Sequence, residues 1–375
     1  MLKCVVAILY YEFHRNIIQG GDIFLYLNDA EILHEVLLRD PMQFIRLVFG
    51  PNGGSIPPDL AQPIDEMGHW GNISAYFMVR VHAMIRLLSF GHDWVHGIFM
   101  AFISFSGICI LIHTLNLTLS RINSLYIYIL FLLPSLLFWT SGYHKETIVT
   151  LAFPLYFYGI FNIVKGRLSI TAILSLLIGA SILLILRDFF FWLSLPPLIS
   201  LILSLKFRKY ALVVFAAVYF LALVLGTSID IPGKDSNYLE YIDQKRSEYM
   251  SLKVGNTHFD PPDYKASLPA FIYALPESML NGFFRPFPSD TASTQTYLAL
   301  IENILIVILI LLFLLRTKVS SSDLPFLMFL IFLGLSIIIA TGLIVPNSGA
   351  ILRYRSVGLL LFLPAVMNLR PDKTL

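Results

Sequence analysis

The chain has 375 residues, 57% of them hydrophobic and only 13% charged, with a formal net charge of +2 and a mean hydropathy of +0.75. A soluble domain carries about 25% charged residues, so this composition excludes an ordinary water-soluble fold and points to a helical protein of the membrane. Nothing in it suggests nucleic acid as a partner. Met1–Tyr11 is apolar apart from one lysine. It lacks a small-residue cleavage site, so it reads as a first span that is short, or one whose start has been cut, and not as a removed signal peptide. Residues 13–72 then form a polar loop punctuated by Pro51-Asn-Gly-Gly and Pro57-Pro58. Within it, Phe24–Leu38 has a helical period. Leu25, Ala30, Ile32, Leu33 and Leu37 alternate there with acidic Asp29, Glu31 and Glu35, which predicts a helix lying in the membrane interface. Ser74–Phe90 is apolar enough to span, but Arg80, His82 and Arg86 interrupt it. Such groups are costly at bilayer centre, so this segment too is expected to lie at the interface.

Clear spans follow at Trp94–Leu119, Asn123–Trp139, Glu146–Val164, Leu168–Leu186, Asp188–Leu205 and Tyr210–Gly226. A second polar stretch, 227–296, carries helical spacing from Tyr238 to Leu252 and then Pro261-Pro262. Three more spans are expected at Tyr297–Leu315, Leu324–Val345 and Ile351–Asn368. With the N-terminal segment the count is about ten. The expected fold is all-α and polytopic, a single integral membrane domain over 1–375. Its two long loops, about 13–93 and 227–296, carry interfacial helices. No internal repeat is evident. Cys4 and Cys109 lie far apart in apolar segments, so neither a disulfide nor a metal-ligand spacing is expected.

Charge sets the orientation. The loops with Lys165/Arg167, Lys206/Arg208/Lys209 and Arg316/Lys318, and the tail with Arg370/Lys373, belong in the cytoplasm by the positive-inside rule. Both termini are then cytoplasmic and both long loops lie outside. Lys145, Arg187, Arg285, Arg353 and Arg355 fall on the outer face, where they do not serve topology. Each alone reads as a cation snorkelling to the interface, and Arg187-Asp188 as an ion pair at a tight turn. As a set they suit a phosphate or pyrophosphate, which arginine holds in bidentate fashion without losing its charge.

Two acidic residues follow the first span. Asp22 comes straight after Gly20-Gly21, and Asp29 lies two helical turns on. Either carboxylate suits a general base or a metal ligand. Asp22 also suits a helix cap. His144, in the short loop Phe138-Trp-Thr-Ser-Gly-Tyr-His-Lys-Glu146, reads as a base or donor ligand, or as an interfacial histidine with one hydrogen bond. Glu146 and Glu302 are supporting acids. Glu302 sits inside an apolar span and needs a partner, either structural or substrate.

The acidic residue after the first span, followed by an aromatic and Ala30 in a surface helix, resembles the first outer loop of GT-C membrane glycosyltransferases. That resemblance covers mainly residues 15–95 and implies Asp22 as catalytic base. His144-Lys145-Glu146, Phe284-Arg-Pro-Phe-Pro288, Glu302-Asn303 and Gly349-Ala-Ile-Leu-Arg-Tyr-Arg355 are similar to bacterial O-antigen and capsule polymerase-like membrane proteins. That second resemblance implies outer-face arginines on a donor pyrophosphate and no metal requirement. The carboxylates allow a divalent ion, but the residues do not indicate one.

The expected activity is transfer from a polyprenyl-phosphate or pyrophosphate-linked sugar or glycan donor to a glycan or lipid acceptor. It would serve cell-surface polysaccharide or glycolipid assembly, polymerisation included, in a bacterial inner membrane. The alternatives are a transporter or flippase for a lipid-linked or anionic solute, and a non-catalytic membrane subunit.

Overall fold

Long apolar segments leave the backbone no hydrogen-bond partner but itself, and the chain resolves that demand with helices. The computed structural model describes residues 1–53, 56–233, 235–251, 257–264, 267–290, 294–314 and 319–369. The basic pairs Arg316/Lys318 and Arg370/Lys373 lie outside the described residues. No strand forms among the described residues, only two isolated bridges.

Helix α1 (Leu2–Phe13) runs on into one π-helical turn, His14–Ile18, and Gln19 ends it in the left-handed conformation. Gly21, at φ 109°, provides a backbone that few side chains tolerate and leads into α2 (Asp22–Arg39). Asp40 caps α3 (Pro41–Phe49) through the amides of Met42 and Gln43, with proline at the first helical position. A short α4 (Ala61–Glu66) precedes α5 (Ile73–Ser89), which Asn72 caps. Then come α6 (Asp93–Thr118), α7 (Leu125–Leu132), α8 (Pro134–Trp139), α9 (Lys145–Val164) and α10 (Ile170–Leu186). Next are α11 (Asp188–Leu193), α12 (Leu195–Ser204) and α13 (Ala211–Leu225). An Asn237/Glu240 capping box opens the polar α14 (Tyr238–Met250). The chain ends with α15 (Leu268–Phe284), α16 (Thr294–Leu314), α17 (Leu324–Ile344) and α18 (Ser348–Asn368).

Six helical segments among the described residues are long and apolar enough to cross a membrane: α6, α9, Arg208–Leu225, Tyr297–Leu314, α17 and α18. The protein is therefore an integral membrane protein of helices, and six of the about ten spans read from hydropathy are full-length helices among the described residues. The difference has local causes. Asn123–Trp139 is broken at Pro134 into α7 and α8. Asp188–Leu205 is broken at Ser194, just ahead of Pro196 and Pro197, into α11 and α12. α1 has only 12 residues and α10 only 17. The two segments expected at the interface form helices, as α2 and α5.

The chain divides into two compact units, Met1–Leu111 with Leu137–Phe191, and Ile112–Leu136 with Trp192–Leu375. In the first, α2 packs on α5, and α9 packs on α10. A Cβ on Gly179 would lie 2.6 Å from the Tyr156 amide nitrogen, so these two helices touch backbone to backbone. The charges that made α5 ambiguous are absorbed locally. Arg80 donates to the Gly50 and Leu47 carbonyls, and the Tyr76 hydroxyl also donates to Leu47, which satisfies the C-terminal end of α3. Arg86 reaches Glu31 on α2 at 2.6 Å. In the second unit α17 is the central helix, packed against α12, α13, α14, α15 and α18.

Candidate functional site

Asp29 lies on the buried face of α2 and holds the turn ahead of α5. Its Oδ1 accepts from the Gly68 amide at 3.1 Å. Its Oδ2 accepts from the His69 amide at 3.0 Å and from the His69 ring Nδ1 at 2.9 Å. Two backbone donors and a ring donor thus fill a carboxylate that is itself almost wholly buried. The turn continues through an Asn72 amide to His69 carbonyl bond of 3.0 Å, and Asn72 then caps α5.

The first turn of α5 carries Ser74, and Ser74 joins three expected site residues. Lys145 Nζ donates to Ser74 Oγ at 2.9 Å, and Ser74 Oγ donates to the Leu186 carbonyl at 2.9 Å. The residue after Leu186 is Arg187, which pairs with Glu146 at 2.7 Å. A lysine in the first turn of a helix opposes the helix dipole, whereas Glu146 beside it complements that dipole. The Lys145 ammonium is turned aside to α5. So Asp29, Lys145, Glu146 and Arg187, four residues spread over 159 positions of sequence, gather around the N-terminal end of α5.

Asp22 and His144 are placed differently. Asp22 is the first residue of α2 and is exposed; the cap position belongs to Gly21. His144 occupies the cap position of α9 and is buried. Its Nδ1 shares a hydrogen bond with the Tyr10 hydroxyl, inside a ring cluster of Tyr10, His14, Phe138 and Trp139.

The second unit holds the other cations. Arg355 is fully buried. Its Nη1 donates to the Phe283 carbonyl at 2.5 Å and the Arg285 carbonyl at 3.2 Å, and Asn303 Nδ2 donates to the Phe284 carbonyl between them at 2.8 Å. Three carbonyls at the C-terminal end of α15 are thereby satisfied. Among the described residues, Nε and Nη2 of Arg355 have no hydrogen-bond partner. Arg285 lies 3.6 Å from the Phe259 ring centre and pairs with Asp290 at 2.8 Å; Asp290 also accepts from Ser348 at 3.0 Å. Arg353 donates to the Tyr354 hydroxyl at 2.9 Å. Glu302 accepts from the Ser135 amide at 3.0 and 3.2 Å. The sequence segments around Arg285, Glu302 and Arg355 therefore converge in one buried polar cluster.

Sequence reasoning missed His69, Ser74 and a pair of buried histidines. His82 Nδ1 and His96 Nε2 are 2.8 Å apart, and His82 Nε2 donates to the Tyr143 carbonyl at 3.0 Å. For His69 a signal existed: a histidine and a tryptophan flanked by glycines, Gly68-His-Trp-Gly71, just before a helix. Ser74 left none; His82 stood out as a polar interruption of an apolar segment, but its pairing with His96 did not. Among the described residues no group of three or more His, Cys, Asp or Glu side chains is arranged to hold a metal ion. No family model, curated protein or solved structure matches the chain.

Proposed function

We propose that this protein is a membrane glycosyltransferase that takes a sugar or glycan from a polyprenyl-phosphate or pyrophosphate-linked donor, in cell-surface polysaccharide or glycolipid assembly. Polymerisation of glycan repeats is included in this reading. The observation that carries it is the gathering of Lys145, the Glu146–Arg187 pair and the Asp29–His69 pair around one helix end. Cations supply the electrostatic stabilisation a departing phosphate needs, and an acid–base group supplies proton removal from the acceptor hydroxyl. Arg285, Arg353 and Arg355 are further phosphate-binding candidates, with the two unsatisfied donors of Arg355 as the supporting feature. Asp22, Asp29 and His144 are the candidate bases read from sequence. The chemistry is direct displacement at the anomeric carbon. In this reading the long loops face away from the cytoplasm, both termini are cytoplasmic, and the membrane is a bacterial inner membrane.

Farnesyl pyrophosphate is a tractable probe of the phosphate site. It should raise the thermal unfolding midpoint of the purified protein in detergent, farnesol should not, and Lys145→Ala should abolish the effect. Equal stabilisation by farnesol would remove the phosphate from the argument. Sidedness is tested by Asp65→Cys and Asp235→Cys, both exposed, in a background lacking Cys4 and Cys109. Both should react with an impermeant thiol reagent on intact cells. A carrier of a lipid-linked or anionic solute would use the same cations but would keep its activity in Asp22→Asn, Asp29→Asn and His144→Asn alike.

A further inference from the structure

The Asp29–His69 pair has a chemistry of its own. A carboxylate only accepts, so the proton shared at 2.9 Å belongs to His69 Nδ1. That fixes the tautomer and leaves Nε2 as the basic nitrogen. The ring cannot turn away, because the same carboxylate also grips the Gly68 and His69 amides. His69 makes no other side-chain hydrogen bond among the described residues. Its side chain is 16% exposed, against 6% for that of Asp29. The acid is sealed in while the histidine reaches the surface. A carboxylate in this position orients an imidazole and stabilises the imidazolium formed when the ring takes a proton.

The other histidines differ. His82 has both ring nitrogens engaged in the interior, and His144 is buried against Tyr10. His258 also neighbours a carboxylate, but Asp260 there is 91% exposed and 3.5 Å away, too loose to orient a ring. His69, in contrast, stands on the turn that leads directly into Ser74, the hydroxyl that receives Lys145 Nζ.

We infer that His69 is the general base of this site, acting through Nε2, with Asp29 as its positioning residue. The inference rests on the glycosyl-transfer reading above. In the step, the acceptor hydroxyl gives its proton to His69 Nε2 as its oxygen bonds to the anomeric carbon of the donor. The bond from that carbon to the phosphate oxygen breaks, and its electron pair leaves with the polyprenyl phosphate or pyrophosphate. The imidazolium then returns its proton to water. Asp29, with both oxygens filled, takes no proton and holds the ring throughout.

The test separates this from a structural pin. His69→Asn keeps a donor for Asp29, since the asparagine Nδ2 falls near the position of Nδ1, but it has no Nε2. Membranes from cells fed radiolabelled glucosamine and galactose are assayed for label passing from the lipid-soluble fraction to insoluble glycan. His69→Asn should lower transfer roughly 100-fold or more with an unchanged unfolding midpoint, and should abolish the acidic limb of the pH–rate profile. Asp29→Asn should lower transfer less and shift that limb. Diethyl pyrocarbonate should modify His69 in the native protein and spare His82 and His96. Normal transfer by His69→Asn, with Lys145→Ala inactive, would overturn the base and leave the transferase reading standing. Inactive His69→Asn beside fully active Lys145→Ala would keep the base and remove the phosphate role of Lys145. No transfer by the wild type would remove both.

Discussion

Arg187 and Glu146 meet at 2.7 Å with both side chains almost wholly out of solvent. The pair ties the end of α10 to the first turn of α9. A buried pair of this kind is worth little over an apolar pair of the same shape, but removing one partner strands the other charge at a cost of about 3–5 kcal/mol. Arg187→Met should therefore destabilise strongly in detergent, and Glu146→Leu/Arg187→Met much less than the sum of its parts. Thermal unfolding of the three variants checks this. Equal loss in the double variant would mean that the pair is not the energetic unit.

Acid should weaken the first unit through His82. Burial holds its pKa down, from 6.5 to about 4. Its folded form is neutral, while an unfolded chain protonates it below pH 6.5. The unfolded state thus binds more protons between those values, so stability is full above about 6.5 and falls as pH drops toward 4. The geometry supplies the reason. His82 Nε2 donates to the Tyr143 carbonyl, so its Nδ1 accepts from His96, and a proton on Nδ1 would set two donors face to face. The unfolding midpoint should decline across this window, and His82→Phe should flatten the slope by one proton.

Much of this was legible in the sequence, and the misses have physical causes. Helices α9, α17 and α18 were read within a few residues, because an apolar run of membrane length has one solution. The breaks at Pro134 and Ser194 were not read as breaks, because proline inside a membrane helix is often tolerated where neighbours satisfy the freed carbonyls. Of the site, Lys145 and Arg187 stand out in the sequence as cations without a topological task, and Glu146 as a supporting acid. Their meeting at Ser74 was invisible, since a serine in an apolar stretch carries no pattern. Asp29 was read as a base from its spacing; its two backbone donors come from a turn 39 and 40 residues away. The same long range hid the pairing of His69 with Asp29.

Helix contact in the second unit depends on missing side chains. A Cβ on Gly342 would sit 2.0 Å from the Ser278 carbonyl oxygen, and one on Gly282 would sit 2.2 Å from the Ile338 carbonyl oxygen. Neither obstacle is a flexible tip; both are backbone. Gly342→Ala should force α15 off α17 and cost about 1–3 kcal/mol or more, read as a lower unfolding midpoint. Gly20→Ala, with nothing within 4 Å, is the matched control and should leave the midpoint unchanged.

Glu302 answers why an acid lies inside an apolar helix. Both its oxygens take the Ser135 amide, at 3.0 and 3.2 Å, which is freed where α8 starts at Pro134. Glu302→Gln keeps an acceptor and should retain the fold. Glu302→Leu leaves a buried donor unsatisfied and should cost about 1–3 kcal/mol. Comparable midpoints for the two variants would refute this role.

That bond also constrains how the chain can evolve. Pro134 creates the need, and Glu302 meets it from 167 residues further along the chain. A descendant that replaced Pro134 and healed the helix would leave Glu302 with only the charge of buried Arg355 to face. One that lost Glu302 first would carry a bare helix end. The two positions are therefore expected to drift as a pair, so lineages that keep the proline should keep the acid and those that shed one should shed both.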